Sequence, residues 1–171
     1  MKKLFCILCV LCLLAAVGCA GPEEKKPAEV PADFSFAITW NVYGVSSYDS
    51  ATGRLVKTTD AAHPEDYATE YRLTQEERAE IYALLTDLSL ERYPDEYDPD
   101  PGQGSSPSET LILTVRENGA EKTVVCRGVA IGGTGKDAMG KAFRAAIKKI
   151  SGLLMETPAW ESLPDYERFY S

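Results

Sequence analysis

The chain has 171 residues, 44% of them hydrophobic, with 26 acidic side chains against 18 basic ones and a net charge of −8. That length suits one domain able to bury about two-thirds of its unfolded surface. The acidic balance argues against a nucleic-acid binder, which rewards clustered Lys and Arg, and against flat electrostatic docking on anionic lipid.

Met1-Lys2-Lys3 opens the chain, and an apolar run from Leu4 to Val17 follows, small at its end with Ala15, Ala16 and Gly18. Two cations, a short apolar stretch and small residues describe a secretory signal peptide. The run falls short of the about 20 apolar residues that span a bilayer. Within it, Cys6, Cys9 and Cys12 are spaced like the start of an iron–sulfur motif, but six residues intervene before Cys19 where that motif has three. Cysteine inside an apolar segment behaves as a small hydrophobe.

Ala16-Val17-Gly18-Cys19 resembles a bacterial lipobox, with Ala16 in place of the commoner Leu. The resemblance implies a signal peptide over 1–18, cleavage before Cys19 and diacylglycerol on the Cys19 thiol. It places the protein at the cell membrane, lipid-anchored on the extracytoplasmic face. The plainer alternatives are ordinary secretory cleavage or an uncleaved anchor; charge, apolar length, small residues and cysteine together favour the lipoprotein. Taking 18 residues from 171 leaves 153, and losing Lys2 and Lys3 moves the net charge from −8 to −10. Only Cys19 and Cys126 survive, one of them acylated, so the expected fold rests on packing without a disulfide. Cys126 reads as a half-buried strand residue rather than a nucleophile.

Residues 19–32 form the acylated cysteine and a Pro-rich, charged, flexible tether, and 33–171 form a single domain. Phe34, Phe36, Ile38, Trp40 and Val42 alternate with Ser35, Ala37, Thr39, Asn41 and Tyr43, the period of a long half-buried strand. Gly44 breaks it. Tyr48 to Lys57 reads as a turn feeding a second strand, with Gly53 supplying a positive φ. Ala61 to Asp66 is loop, and Thr69 to Leu73 makes a short third strand. Thr74-Gln75-Glu76-Glu77 is a capping box, and Ile81, Leu84, Leu85 and Leu88 follow at helical spacing, so a helix is predicted over Gln75 to Leu88. Tyr93 to Ser108 is a loop rich in Asp, Pro, Gly and Ser. Asn118-Gly119 separates two β-rich runs, the strongest short hairpin signal. Met139, Phe143, Ala146, Ile147, Ile150 and Leu154 mark a second helix that stops at Thr157-Pro158, with Lys141, Arg144, Lys148 and Lys149 off its apolar stripe. The tail carries Trp160, Leu163, Tyr166, Phe169 and Tyr170 and is expected to fold back. The predicted class is α+β: an antiparallel sheet built from two β-hairpins, with two helices packed on one face.

Three stretches invite chemistry. The first, GTGKDAMGKA from Gly133 to Ala142, fits the phosphate-loop pattern G-x-x-x-x-G-K. It follows a hairpin strand rather than a βαβ strand, Ala142 stands where a hydroxyl would hold magnesium, and the lipobox puts it where ATP is scarce. No nucleotide and no other cofactor are expected. The second, Asp98-Pro99-Asp100-Pro101-Gly102 with Glu109 at position twelve, imitates a calcium loop. Gln103 replaces the needed glycine and prolines stiffen it, so the plain reading is an acidic solvated loop, with a weak calcium-binding envelope protein as one alternative. The third, His63, is the only histidine and sits in a Pro-flanked loop without a nucleophile elbow, so no catalytic residue and no metal site are assigned. Tyr43, Tyr48, Tyr67, Tyr71, Tyr93 and Tyr97 lie at strand ends and in loops; they pad the sheet edges or line a face for a peptide, a glycan or an envelope protein.

Trp40-Asn41-Val42-Tyr43-Gly44, Tyr48-Asp49-Ser50-Ala51-Thr52-Gly53-Arg54-Leu55, Tyr71-Arg72-Leu73-Thr74, Tyr93-Pro94-Asp95-Glu96-Tyr97 and Leu163-Pro164-Asp165-Tyr166 make the chain similar to a group of small uncharacterised lipoproteins of Gram-positive anaerobes. The resemblance supports the delivery route and carries over no catalytic or binding residues. The expected role is a lipid-anchored extracytoplasmic binding or interaction module of unassigned ligand. The rival is a surface-anchored hydrolase.

Overall fold

The computed structural model describes residues 29–41, 46–58, 67–99, 102, 108–129 and 135–165. The signal, Cys19, most of the tether, Tyr43, His63 and the last six residues lie outside them. Among the described residues the fold is α+β, a six-stranded antiparallel sheet with three helices. In chain order these are β1 (Ser35–Trp40), β2 (Ser46–Asp49), β3 (Arg54–Val56), β4 (Ala68–Glu70), α1 (Gln75–Leu88), a 3-10 turn (Leu90–Arg92), β5 (Glu109–Glu117), β6 (Ala120–Val129), α2 (Ala138–Met155) and α3 (Pro158–Glu161). The sheet order is β4-β3-β2-β1-β5-β6.

β1 buries Phe36, Ile38 and Trp40, as their alternation with Ser35, Ala37 and Thr39 predicts. It ends at Trp40, earlier than expected, because Asn41 takes a left-handed φ of 67°. The residues around Tyr48 are strand rather than turn. Ser46–Asp49 pairs with both β1 and β3, and the reversal comes only after Asp49, whose carboxylate accepts from Ala51 N–H at 2.8 Å. Four residues are too few to display an alternation on their own. The β5–β6 hairpin turns at Asn118-Gly119, both residues at positive φ, as that dipeptide requires. The outer edge of β6 is met by the segment before β5: Val125 N–H donates to Asp95 C=O at 2.7 Å, and Tyr97 N–H to Val125 C=O at 3.1 Å.

α1 begins at the expected capping box. Glu77 N–H donates to Thr74 Oγ1 at 3.2 Å, and Thr74 N–H to Glu77 Oε2 at 2.8 Å. α2 buries Phe143, Ile147, Ile150 and Leu154 along one stripe. α3 is a single turn started by Pro158, and it places Trp160 against Trp40 with ring centroids 5.6 Å apart. The strand and helix residues join in one core that includes Leu55, Ile81, Leu113 and Val124.

Both chain ends engage this core. Val30 packs against it, Pro31 C=O accepts from Phe34 N–H and from the Arg78 guanidinium at 2.8 Å, and Arg78 also lies over the Phe34 ring. The fold therefore takes hold just ahead of Asp33. At the other end, buried Lys57 donates to Leu163 C=O at 3.2 Å and sits 5.4 Å over the Trp160 ring, so the chain after α2 folds back as far as it is described. Among the described residues no helix is long and apolar enough to cross a membrane.

Candidate functional site

The phosphate-loop look-alike is an anchoring device for the start of α2. Gly135 has φ +77°, and a Cβ on it would lie 2.6 Å from the Gly140 backbone. Asp137 caps the helix, its carboxylate accepting from Gly140 N–H at 2.7 Å and from the Tyr97 hydroxyl at 2.9 Å. Lys136 N–H donates to Pro99 C=O at 3.0 Å, and Pro99 and Tyr97 crowd the space where a Gly140 side chain would stand. The place at the helix N-terminus that a phosphate would use is filled by the chain's own carboxylate. Hydrogen bonding from Gly140 N–H and then from Tyr97 holds the Asp137 pKa below the ordinary carboxylate value.

The tyrosines point inward. Tyr48 is buried and donates to Tyr71 C=O at 3.1 Å, Tyr71 to Glu77 Oε1 at 2.7 Å, and Tyr93 to Met139 C=O at 2.9 Å. With Tyr97 on Asp137, three of the six singled out in the sequence tie loops to helix starts, and Tyr48 ties β2 to the loop before α1. Tyr67 is half-buried before β4, and Tyr43 lies outside the described residues. The helix-free face of the sheet instead carries Ala37, Thr39, Ser47, Asp49, Ile112 and Thr114, with no aromatic among them. Cys126 is fully buried rather than half-buried, and burial, followed by the charges of Asp98 and Glu96, pushes its thiol up to about 12. Such a thiol is inert.

Most of the Asp98–Glu109 loop lies outside the described residues. Its last member, Glu109, opens β5 and reaches Arg144 at 3.7 Å. Among the described residues no group of three or more His, Cys, Asp or Glu side chains could hold a metal.

What the fold assembles is a cleft of about 530 Å³ along one flank of α2, where it passes the end of β1 and the start of β5. Its floor is apolar and buried: Trp40, Leu111 and Ile147. Along the helix side stand Lys141, Arg144 and Lys148, with exposed Ala145 between them and half-exposed Met155 at the far end. Asn41 and Glu109 border the strand side. The volume lies within the range of small-molecule sites, which pair an apolar lining with a few placed polar groups. The Trp40 Nε1 is buried with no acceptor among the described residues, in a protein interior where nearly all such donors are satisfied.

The sequence displayed half of this site. Lys141, Arg144 and Lys148, at i, i+3 and i+7, were visible as cations off the apolar stripe. Their meeting with Trp40, about a hundred residues away, follows from β1 lying beside β5, which no local pattern records. No protein family matches the chain, and no curated protein matches it, so the functional reading rests on this cleft and on the lipobox.

Proposed function

We propose that the chain is a lipid-anchored extracytoplasmic binding module, attached through Cys19 and taking a small ligand in the cleft beside α2. The observation that carries the reading is the cleft itself, an apolar floor under a row of helix cations on a rigid helix–sheet scaffold. In this reading the two hairpins and two longer helices anticipated from the sequence are the framework, and the one-turn helix after Pro158 closes its end. Binding is favoured over hydrolysis by what lines the cleft. Its one carboxylate, Glu109, is turned on Arg144, and its one hydroxyl, Ser151, donates to Lys148 C=O at 3.3 Å, so no nucleophile–base pair forms among the described residues there.

Two measurements test this. Mass spectrometry of the native protein is expected to find diacylglycerol on Cys19 as the first residue; a bare or unprocessed N-terminus removes the anchor. Thermal-shift screening of a small-molecule panel is expected to give compounds that raise the melting temperature and lose that effect in Ala145→Phe, which fills the cleft. If every stabilising compound acts equally on the filled variant, ligand binding in the cleft is wrong.

A further inference from the structure

α2 carries Lys141, Arg144, Lys148 and Lys149 and not one acid, in a chain whose acids exceed its bases by eight. Lys149 pairs with Glu80 of α1 at 2.9 Å, away from the cleft. The other three line it, and among the described residues the one carboxylate in its lining is Glu109, 3.7 Å from Arg144. Lys148 has no carboxylate within ion-pair distance among the described residues. Lys141 feels Asp137, a carboxylate already committed to the helix cap and to Tyr97. The cleft is therefore a local positive field within an acidic molecule, and its apolar floor lowers the dielectric and strengthens that field. The floor, the indole of Trp40 with Leu111 and Ile147, offers no charge. One occupant suits both surfaces at once.

We propose that the cleft binds a small amphipathic anion: one acidic group, held along the Lys141–Lys148 row, on an apolar body that lies over Trp40, Leu111 and Ile147. The proposal deepens the binding reading above and rests on it. The volume is that of a small-molecule site. The same geometry supplies a readout. The chain has two tryptophans, Trp40 and Trp160; their rings lie 5.6 Å apart, and Trp40 lines the cleft, so intrinsic fluorescence reports occupancy.

The test uses the chain from residue 19 onward with Cys19→Ser, which keeps every described residue. Tryptophan fluorescence is followed during titration with four probes: decanoate, decanol, decyltrimethylammonium and acetate. Decanoate is expected to saturate the signal, with decanol and acetate at least about tenfold weaker and the cation weakest. Lys141→Glu with Lys148→Glu is expected to weaken decanoate about tenfold or more. Lys149→Glu reverses one charge on the same helix but outside the cleft, half the change of the double variant, and is expected to leave decanoate affinity unaltered. Melting curves confirm that each variant is folded. If decanol or the cation binds as tightly as decanoate, or if the double reversal changes nothing, the cleft is a site but its ligand is not an anion. Should none of the probes move the signal, and Ala145→Phe behave as the parent, both this proposal and the binding reading fall.

Discussion

Tyr48 shows at the scale of one residue how this protein uses its aromatics. Its ring is in the core and its hydroxyl reaches the Tyr71 carbonyl, while Tyr71 in turn reaches Glu77 at the α1 cap. Burial raises the phenol pKa of both to about 12, with the charge of Tyr71 adding for Tyr48 and the Glu77 hydrogen bond adding for Tyr71. Burial raises Tyr93 and Tyr97 as well. A group whose folded pKa is raised contributes stability below its unfolded pKa and loses it as pH rises through the folded value. Urea midpoints are therefore expected to hold up to about pH 10 and then fall toward pH 12. Tyr48→Phe is expected to make that decline shallower; a decline of unchanged steepness in the variant would contradict it. None of this was legible from the sequence, where a tyrosine at a strand end looks the same whether it faces water or a carbonyl.

Elements were read best where their signals are local. The bounds of α1 follow from Thr74 and Glu77 at its start and from the spacing of Ile81, Leu85 and Leu88, all within fifteen residues. The turn at Asn118-Gly119 is equally local. β2 escaped because a four-residue strand exists only through its neighbours, and the short strand expected over Thr69 to Leu73 lies instead at Ala68–Glu70, where pairing with β3 sets its bounds. Two substitutions test the local devices by urea unfolding. Thr74→Ala removes the cap and half of the reciprocal bonding at α1, with an expected loss of about 1 kcal/mol. Gly135→Ala forces an L-residue into left-handed backbone and sets a Cβ against Gly140, so a loss of about 3 kcal/mol is expected. A neutral Gly135→Ala would mean that the close approach between this loop and α2 is not maintained in solution.

For the molecule as a whole, charge and fold pull in different directions as pH changes. The excess of acids repels itself at pH 7, and mild acid relieves that repulsion. Further down, specific carboxylates matter. Asp33 is held low by Gly119 N–H and then by Asn118, and Asp137 by Gly140 N–H and Tyr97. For Glu77, burial alone would raise the pKa, but hydrogen bonds from Tyr71 and Thr74 outweigh it. A lowered folded pKa contributes stability above the unfolded value and loses it as pH falls through the folded one. Stability is thus expected to stay level or rise from pH 7 to about 4.5 and to drop below that. A decline that begins at pH 6 would point to a group outside these three. The α+β class could be read at this scale because the count of apolar periods sets it. The cleft could not, because it forms only where α2 crosses two strands.

The hold of Arg78 on Pro31 has one more consequence. It fixes where the tether joins the domain: at the start of β1, beside the Asn118-Gly119 tip, whereas Trp40, Asn41 and Glu109 sit at the opposite end of the same strands. β1 spans roughly 20 Å, and the stretch from Ala20 to Val30 can extend roughly 40 Å at most. If Cys19 is embedded in a leaflet as proposed, the tether would enter at one end of the sheet and the cleft would open at the other.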